Sequence, residues 1–332
     1  MSSQNPEAQE QPRIKMRLLG RTAIRISEIG FGAWAIGGGA TVCGRAFAFG
    51  SVDDQTSLNA LQHGFELGVN FVDTADAYGM GHSEQLVGKA MKVSPRRIHV
   101  ATKVGNVRCD PEPPRQDFSA AYVKAACDRS LNRLGITMID LYQLHNPPKA
   151  VLMGNEIWDV LRELKDKNKI AHYGISVSHP SEGLMAIEKG GVETVQIVYN
   201  LLAHSSVKEL FEIAVKKSVG IIARVPLASG LLTGKFQSGQ RFADNDHRRD
   251  TYSPEKLDKA LLQVEKFRFL AEGTGRTLAQ AALKFCLAHP AVSVVIPGIK
   301  TPEQAAENVM AANVPDLTAE ELKQIEEMAS VC

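Results

Sequence analysis

The sequence has little net charge and no long hydrophobic run, and both absences exclude classes of function. Its net charge is +1, which is too small to attract nucleic acid or an anionic membrane surface. No apolar run approaches the roughly 18 residues of a membrane-spanning helix, and the first residues, MSSQNPEAQEQPR, contain no apolar signal core. We therefore expect a small molecule as the partner, and neither nucleic acid nor a membrane.

Cysteine is also scarce, and its spacing excludes the usual cysteine-based sites. The five cysteines are odd in number and widely separated, and no two have the spacing of a zinc site or of a disulfide framework. This pattern predicts no metal site and indicates a protein of the reducing cytoplasm. The cysteines are Cys43, Cys109, Cys127, Cys286 and Cys332.

The composition is otherwise that of a globular protein with a substantial core. Of the 332 residues, 44% are hydrophobic and 23% are charged, and no change in composition marks a linker between domains. The polar residues 1–13 are predicted to be a disordered tail. Residues 14–332 are predicted to form a single domain.

Strand-like and helix-like patterns alternate along this domain. Short apolar runs predict eight strands, each followed by a segment with helical periodicity. Strict alternation indicates parallel strands with helical crossovers, a pattern common to closed barrels and to open doubly wound sheets. The number of units favours a (β/α)8, or TIM, barrel. The predicted strands are Ile29–Trp34, Val69–Val72, Ile98–Thr102, Met138–Leu144, Ala171–Ser176, Thr194–Tyr199, Gly220–Val225 and Val292–Ile296.

Further elements surround this repeat. Two short apolar runs on either side of Gly20 predict an N-terminal β-hairpin, and Thr318–Met328 is predicted to be an appended C-terminal helix. Ser119 is predicted to cap a helix that ends at Gly135. Residues 37–51, 106–117 and 237–252 are predicted to be irregular loops that determine substrate specificity.

Polar residues follow three consecutive predicted strands. The stretch FVDTADAYGMGHSE places Asp73 at the end of one strand and Tyr78 on the loop beyond it, while Lys103 and His145 end the next two strands. A single such stretch is more often an ordinary turn. Because the carboxyl ends of barrel strands meet at one mouth, however, their recurrence predicts a joint active site.

The charges of these four side chains indicate their chemistry. A tyrosine, with an ordinary pKa of about 10, is a weak acid unless a nearby cation favours its phenolate. Lys103 can be that cation, and Asp73 would keep it charged and in position. His145 could donate a hydrogen bond to the same substrate oxygen as Tyr78. A carbonyl oxygen that gains negative charge and then a proton suits such a site.

The motifs together resemble the aldo-keto reductase family, in its bacterial or channel-β-subunit-like branch, over nearly the full length. The matching motifs are RLLGRTAIRISEIGFGAW, DTADAYGMGHSE, ATK, LYQLHNP, PLASGLLTGK and IPGIKTPEQAAEN. The resemblance implies a (β/α)8 barrel with NADPH extended across its mouth. It also implies a catalytic tetrad of Asp73, Tyr78, Lys103 and His145, with Tyr78 as the general acid. Trp34 would line the substrate pocket with Tyr78 and His145.

The resemblance implies cofactor contacts as well. Arg224 lies where the family often has an aromatic residue that stacks on nicotinamide, and it is expected to reach the cofactor or the substrate. Lys300 is expected to pair with a 2′-phosphate, so that NADP is expected ahead of NAD, although Gln304 replaces a common arginine. The implied cofactor-binding residues are Gly32, Asp73, Ser176, Gln196, Arg224, Leu227, Ser229, Gly230, Lys235, Gly298, Lys300, Gln304, Glu307 and Asn308.

These observations predict an NADPH-dependent oxidoreductase that reduces an aldehyde or ketone to the alcohol. Two alternatives stay open at this point. A lysine at a barrel strand end, such as Lys103, is also typical of a Schiff-base lyase. The chain could also be an NADPH-binding, redox-sensing subunit with little turnover. Asp76 and Gly79 are expected only to shape the turn that carries Tyr78.

Overall fold

Eight parallel strands form one continuous sheet in the computed structural model, which describes residues 14–38, 41–42, 45–109 and 112–329. The predicted tail, residues 1–13, lies outside the described residues. Neighbours in the sheet follow chain order from β1 to β8, as expected for successive right-handed crossovers. The strands are β1 Phe31–Gly32, β2 Phe71–Asp73, β3 His99–Val104, β4 Ile139–His145, β5 Ile170–Ser176, β6 Thr194–Val198, β7 Gly220–Arg224 and β8 Val292–Ile296.

The sheet closes on itself between β1 and β8. Parallel bridges join Ile29 to Val295 and Gly32 to Gly298. The Gly30 amide donates to the Val295 carbonyl at 2.9 Å, which continues the ladder between the two strands. The structure therefore confirms the predicted closed barrel and excludes an open sheet. β1 is shorter than predicted because the chain around it meets β8 through single bridges rather than a continuous ladder.

Helices separate the strands, and capping residues set several of their ends. The Asp53 side chain accepts from the Thr56 amide, Ser119 accepts from the Tyr122 amide, and Gly135 takes a left-handed conformation at the end of the latter helix. The helices are Asp54–Glu66, His82–Val93, Ala120–Leu134, Lys149–Met153, Glu156–Asp166, Pro180–Met185, Lys208–Lys216, Arg248–Thr251, Pro254–Glu265, Leu278–Ala288, Pro302–Val309 and Ala319–Ala329. None in the described part of the chain is long and apolar enough to cross a membrane.

The predicted N-terminal hairpin covers one end of the barrel. Its strands, Met16–Leu18 and Arg25–Ser27, pair antiparallel, and Leu19 and Ile26 are fully buried. These two side chains pack with inward-facing residues of the barrel strands, so the amino end of the barrel is filled with apolar groups. The polar side chains predicted to form the active site lie at the opposite, carboxyl end of the barrel. The barrel residues in this cluster are Phe71, Ala101, Leu141, Ile222, Val294 and Ile296.

All three predicted irregular loops contain some regular structure, because the 237–252 loop includes the helix Arg248–Thr251 and the other two contain hairpins. A hairpin pairs Thr41–Val42 with Arg45–Ala46, and another pairs Asn106–Cys109 with Glu112–Gln116. The prediction of irregular loops was wrong in this respect. These strands are short and their sequences lack an alternating apolar pattern, so their pairing left no periodic signal in the sequence.

The tip of the N-terminal hairpin depends on the absence of a side chain at Gly20. This residue has a φ of +56°, and an added Cβ would lie 2.2 Å from the Gly220 backbone nitrogen. We predict that Gly20→Ala lowers the free energy of unfolding by about 2–5 kcal/mol, from left-handed strain and overpacking combined. Urea unfolding followed by circular dichroism measures this change.

Gly135→Ala is the matched control. Gly135 has a φ of +67°, but an added Cβ meets nothing within 4 Å. Gly135→Ala should therefore lower the free energy of unfolding only by the conformational cost of about 1–2 kcal/mol. Equal losses in the two variants would contradict tight docking of the hairpin.

Candidate active site

A buried ion pair lies where β2 and β3 open into the barrel mouth. Lys103 Nζ is 2.6 Å from Asp73 Oδ2, and the lysine side chain is completely buried. The other Asp73 oxygen accepts from Gln196 Nε2 at 2.7 Å and from Gln143 Nε2 at 3.2 Å. Lys103 Nζ also donates to the Thr74 carbonyl at 2.8 Å. The charged pair is therefore held by hydrogen bonds from several strands, as a buried pair requires.

The surroundings of Lys103 keep its side chain charged. Burial alone lowers the pKa of this lysine, but the Asp73 carboxylate and the Tyr78 oxygen more than offset it, and the pKa lies above its ordinary value. Lys103 is therefore an ammonium at neutral pH. A protonated amine is a hydrogen-bond donor and not a nucleophile.

The loop after β2 brings Tyr78 to this ammonium. Lys103 Nζ donates to the Tyr78 hydroxyl at 3.0 Å. Gly79 follows with a φ of +57°, and an added Cβ would lie 1.8 Å from the Gly37 carbonyl oxygen, so only glycine allows the two loops to approach this closely. The Ser83 hydroxyl donates to the Ala33 carbonyl at 2.8 Å, which ties the start of the next helix to the end of β1.

His145 and Trp34 complete the surroundings of Tyr78. The His145 ring stands nearly perpendicular to the Tyr78 ring with centroids 5.9 Å apart, and the Trp34 ring lies at 6.4 Å. Tyr78, His145 and Trp34 all line one cavity of about 490 Å³ at the barrel mouth. Asp73, Lys103, Tyr78 and His145 are therefore neighbours in space, as the sequence predicts.

The same cavity extends to the residues predicted to bind a cofactor. Ser176 pairs with Gln196 across β5 and β6 and is buried; it is not part of the cavity wall, and its cofactor contact stays a prediction. Asp73 and the other predicted residues line the wall. They are Gly32, Gln196, Arg224, Leu227, Ser229, Gly230, Lys235, Gly298, Lys300, Gln304, Glu307 and Asn308.

The loop after β7 has an unusual backbone. Val225, Ala228, Ser229 and Gly230 all have positive φ, between 48° and 98°. Three of them are not glycine, and such conformations persist mainly where function requires them. Successive residues in turn conformations direct backbone N–H groups to one side and form concave sites that suit phosphate. Gly298, across the cavity, has open space where a Cβ would point.

Cations surround this part of the cavity. Lys235, Arg248 and Lys300 line it, and Arg248 Nη1 also approaches the Ser229 carbonyl at 3.4 Å. Positive side chains beside a strained glycine-containing loop suit an extended anionic cofactor such as a dinucleotide. The residues present therefore fit a nicotinamide dinucleotide.

Arg248 and its aromatic neighbours are cavity residues that were not predicted individually. The guanidinium forms an ion pair with Asp246 at 2.5 Å and lies 4.7 Å from the Phe49 ring centroid. Phe49 pairs with Asp246 through an antiparallel bridge, so the loop after β1 meets the 237–252 insertion over the mouth. The Arg-rich insertion is visible in the sequence. Its contact with the loop after β1 joins segments almost 200 residues apart, so neither segment alone predicts this contact.

A model of the aldo/keto reductase family matches residues 28–330. The chain belongs to the aldo/keto reductase family. It is 32% identical to an uncharacterized oxidoreductase of Bacillus subtilis, over 94% of this chain and 96% of that protein. It is 30% identical to an NADH-specific methylglyoxal reductase of Escherichia coli, over 89% of this chain and 93% of that protein.

Solved structures of the family agree with the fold. An aldo-keto reductase from Bacillus halodurans, in its holo form, matches with a TM-score of 0.78 and 31% identity, over 95% of this chain and 96% of that one. A glycerol dehydrogenase from Gluconobacter oxydans matches with a TM-score of 0.80 and 27% identity, over 95% of both chains. The family consists of oxidoreductases that use nicotinamide cofactors, so the predicted enzyme class is confirmed at this level.

Asp76 lies within the loop that carries Tyr78, and its carboxyl group is poorly compensated. Its Oδ1 atom is buried without a hydrogen-bond partner among the residues that the structure describes. Burial and the Glu84 carboxylate raise the pKa of Asp76 to about 7, against the opposing effects of Arg133, the Ala77 amide and Arg129. The charged form of Asp76 is therefore unfavourable in the folded protein.

This carboxyl group should make stability depend on pH. Because the pKa of Asp76 rises from 3.8 to about 7 on folding, the folded protein binds the additional proton, and the free energy of unfolding falls as pH rises between these values. We predict that Asp76→Asn removes this contribution. The stability of the variant relative to the wild type should increase by about 1–3 kcal/mol between pH 5 and pH 8.

Urea unfolding at the two pH values measures the difference. Asp159→Asn is the control, because Asp159 is exposed at the surface, and its effect should be small and similar at both pH values. A constant difference between Asp76→Asn and the wild type would show that Asp76 does not titrate in this window.

Proposed function

We propose that the protein is an NADPH-dependent reductase of aldehydes or ketones in which Tyr78 is the general acid. The observation that carries this proposal is the continuous contact from Asp73 through Lys103 Nζ to the Tyr78 hydroxyl, at 2.6 Å and 3.0 Å. The contact ends in a cavity that His145 and Trp34 also line. It supports proton transfer to an oxygen that becomes negatively charged during the reaction.

Each residue of the tetrad has a defined part in this reaction. The reduced nicotinamide cofactor supplies the hydride to the carbonyl carbon when it is bound. Tyr78 gives its hydroxyl proton to the carbonyl oxygen, and the alcohol is formed. The Lys103 ammonium stabilises the negative charge that forms on the Tyr78 oxygen, while His145 orients the substrate oxygen in the cavity. Asp73 holds Lys103 in position.

The protonated state of Lys103 argues against a lyase. A Schiff base forms when an unprotonated amine attacks a carbonyl carbon, but the Asp73 carboxylate helps to hold the pKa of Lys103 above its ordinary value. The lysine is also completely buried beneath Tyr78. Its geometry supports a role in tuning the tyrosine.

The cations of the cavity support NADPH as the preferred cofactor. Burial lowers the pKa of Lys300, and Arg248 adds to this effect while Asp246 opposes it, so two cations lie close together at this side of the mouth. The 2′-phosphate that distinguishes NADP from NAD would relieve this repulsion. The relative named as NADH-specific in Escherichia coli shows that family membership does not decide the preference, so the argument rests on Lys300 and Arg248.

Tyr78→Phe tests the proposed mechanism. We predict that it lowers kcat for carbonyl reduction by at least about 100-fold, since general acid catalysis contributes this much or more, while the Kd for NADPH changes little. Steady-state NADPH oxidation and fluorescence titration measure the two quantities. Tyr122→Phe is the control, because Tyr122 lies on the helix Ala120–Leu134, outside the cavity wall.

Full activity of Tyr78→Phe would refute Tyr78 as the acid. Tight NADPH binding by the wild type with no turnover of any carbonyl compound would instead favour a redox-sensing subunit.

Lys300→Met tests the cofactor preference. We predict that the KM for NADPH rises by about 10-fold or more through loss of a charged hydrogen bond, whereas the KM for NADH changes much less. NADH is the internal control, because it differs from NADPH only in the 2′-phosphate. A similar rise for both cofactors would mean that Lys300 does not contact this group.

A further inference from the structure

Arg224 is a cation in the cavity whose charge is not compensated. It ends β7, where it pairs with Val198 of β6 and Ile296 of β8. Its Nη2 donates to the Val177 carbonyl at 3.1 Å. Its Nε atom is buried and has no hydrogen-bond partner within the described part of the chain.

Two of the three other lysine and arginine side chains in the same wall have carboxylate partners, and the third, Lys300, donates to the Phe49 carbonyl. Lys235 pairs with Glu307 at 2.8 Å and Arg248 pairs with Asp246 at 2.5 Å. In the described ranges no carboxylate forms an ion pair with Arg224. Burial lowers the pKa of Arg224, and Tyr78 and Asp73 act in the opposite direction, but a guanidinium stays protonated at any physiological pH.

Arg224 is partly buried, and its Nε is completely so. A charge that is partly removed from water and has no ion-pair partner lowers stability, and such a charge is retained where a ligand supplies the partner. Asp73 cannot serve, because its oxygens already accept from Lys103, Gln143 and Gln196. The missing partner of Arg224 must therefore come from outside the chain. A guanidinium offers paired N–H groups that match a carboxylate in two parallel hydrogen bonds.

The position of Arg224 indicates which ligand brings this anion. Arg224 and Tyr78 line the same cavity, so an anion held by Arg224 lies in the same cavity as the proton donor. The strained loop and Lys235, which suit the cofactor phosphates, come after Arg224 in the chain. Trp34 and Phe49, on the wall from the β1 loop, offer only apolar faces to the rest of a substrate.

We propose that Arg224 binds the carboxylate of a substrate that carries this group a few carbons from its reacting carbonyl, such as an aldehyde acid. This inference rests on the proposed function for the identity of the reacting group. The anion site itself depends only on Arg224 and is testable without turnover.

Succinate semialdehyde and its methyl ester are matched probes, because they share the aldehyde and differ in the charge of the far end. We expect the wild type to have a kcat/KM at least about 10-fold higher for the acid than for the ester. In Arg224→Met this ratio should fall by about 10- to 100-fold, because a charge-assisted hydrogen bond is lost. Arg224→Lys should keep part of the wild-type preference for the acid. Arg162→Met is the control, since Arg162 is exposed, and it should keep the wild-type ratio.

A binding measurement separates this proposal from the proposed reaction. Butyrate and butyramide are titrated by calorimetry into the protein saturated with NADP+. Wild type should bind butyrate more tightly, and Arg224→Met should lose that preference. Circular dichroism confirms that the variants are folded, and the conservative Arg224→Lys covers the case in which the methionine variant does not fold.

The outcomes are distinct. Loss of the butyrate preference in a protein that reduces no carbonyl compound would refute the proposed reaction and support the anion site. A butyrate preference unchanged by both substitutions, or an acid-to-ester ratio unchanged by them, would overturn the proposal. A rise in the Kd for NADPH with no change in the acid-to-ester ratio would assign Arg224 to the cofactor instead, and would also overturn it.

Discussion

The buried pair of Asp73 and Lys103 is the interaction on which the barrel mouth depends. Moving an ammonium and a carboxylate out of water costs several kcal/mol for each ion, and here the cost is offset by a 2.6 Å contact and by hydrogen bonds from Thr74, Gln143 and Gln196. The pair places a fixed positive charge beneath the Tyr78 hydroxyl. A reaction that develops negative charge on that oxygen needs such a charge to be present in advance.

The barrel can accommodate this buried ion pair because its two ends have different roles. At the amino end, the hairpin inserts Leu19 and Ile26 into an apolar cluster, so the strands are held together there without polar groups. At the carboxyl end, the same strands end in charged and amide side chains. Stability and chemistry are therefore located at opposite ends of one sheet, as is general for (β/α)8 barrels.

The walls of the mouth combine strained backbone with charge. The loop after β7 keeps three non-glycine residues at positive φ, and Asp76 keeps a carboxyl oxygen buried without a partner in the described structure. Each of these features lowers stability on its own. Their concentration around Tyr78 indicates that this region is organised for a ligand, and Arg224 belongs to the same group of uncompensated residues.

Sequence patterns alone were enough to predict the order of strands and helices and the residues at the strand ends. Apolar runs with period two or 3.6 report burial, and Asp73, Lys103 and His145 stand out because each ends such a run. Periodicity could not find the short strands of the two hairpins after β1 and β3, because their sequences do not alternate between apolar and polar residues.

Which charges compensate one another became visible only when the chain was folded. Ion pairs between distant segments, such as Lys235 with Glu307, leave no local trace in a sequence. Burial, which sets the pKa of Asp76, is likewise a property of the packed chain. From the sequence, Arg224 could belong to the cofactor site or to the substrate site. The structure adds that no carboxylate among the described residues forms an ion pair with Arg224, whereas Lys235 and Arg248 are paired. Compensation of charge is decided by distance in space and not by position along the chain.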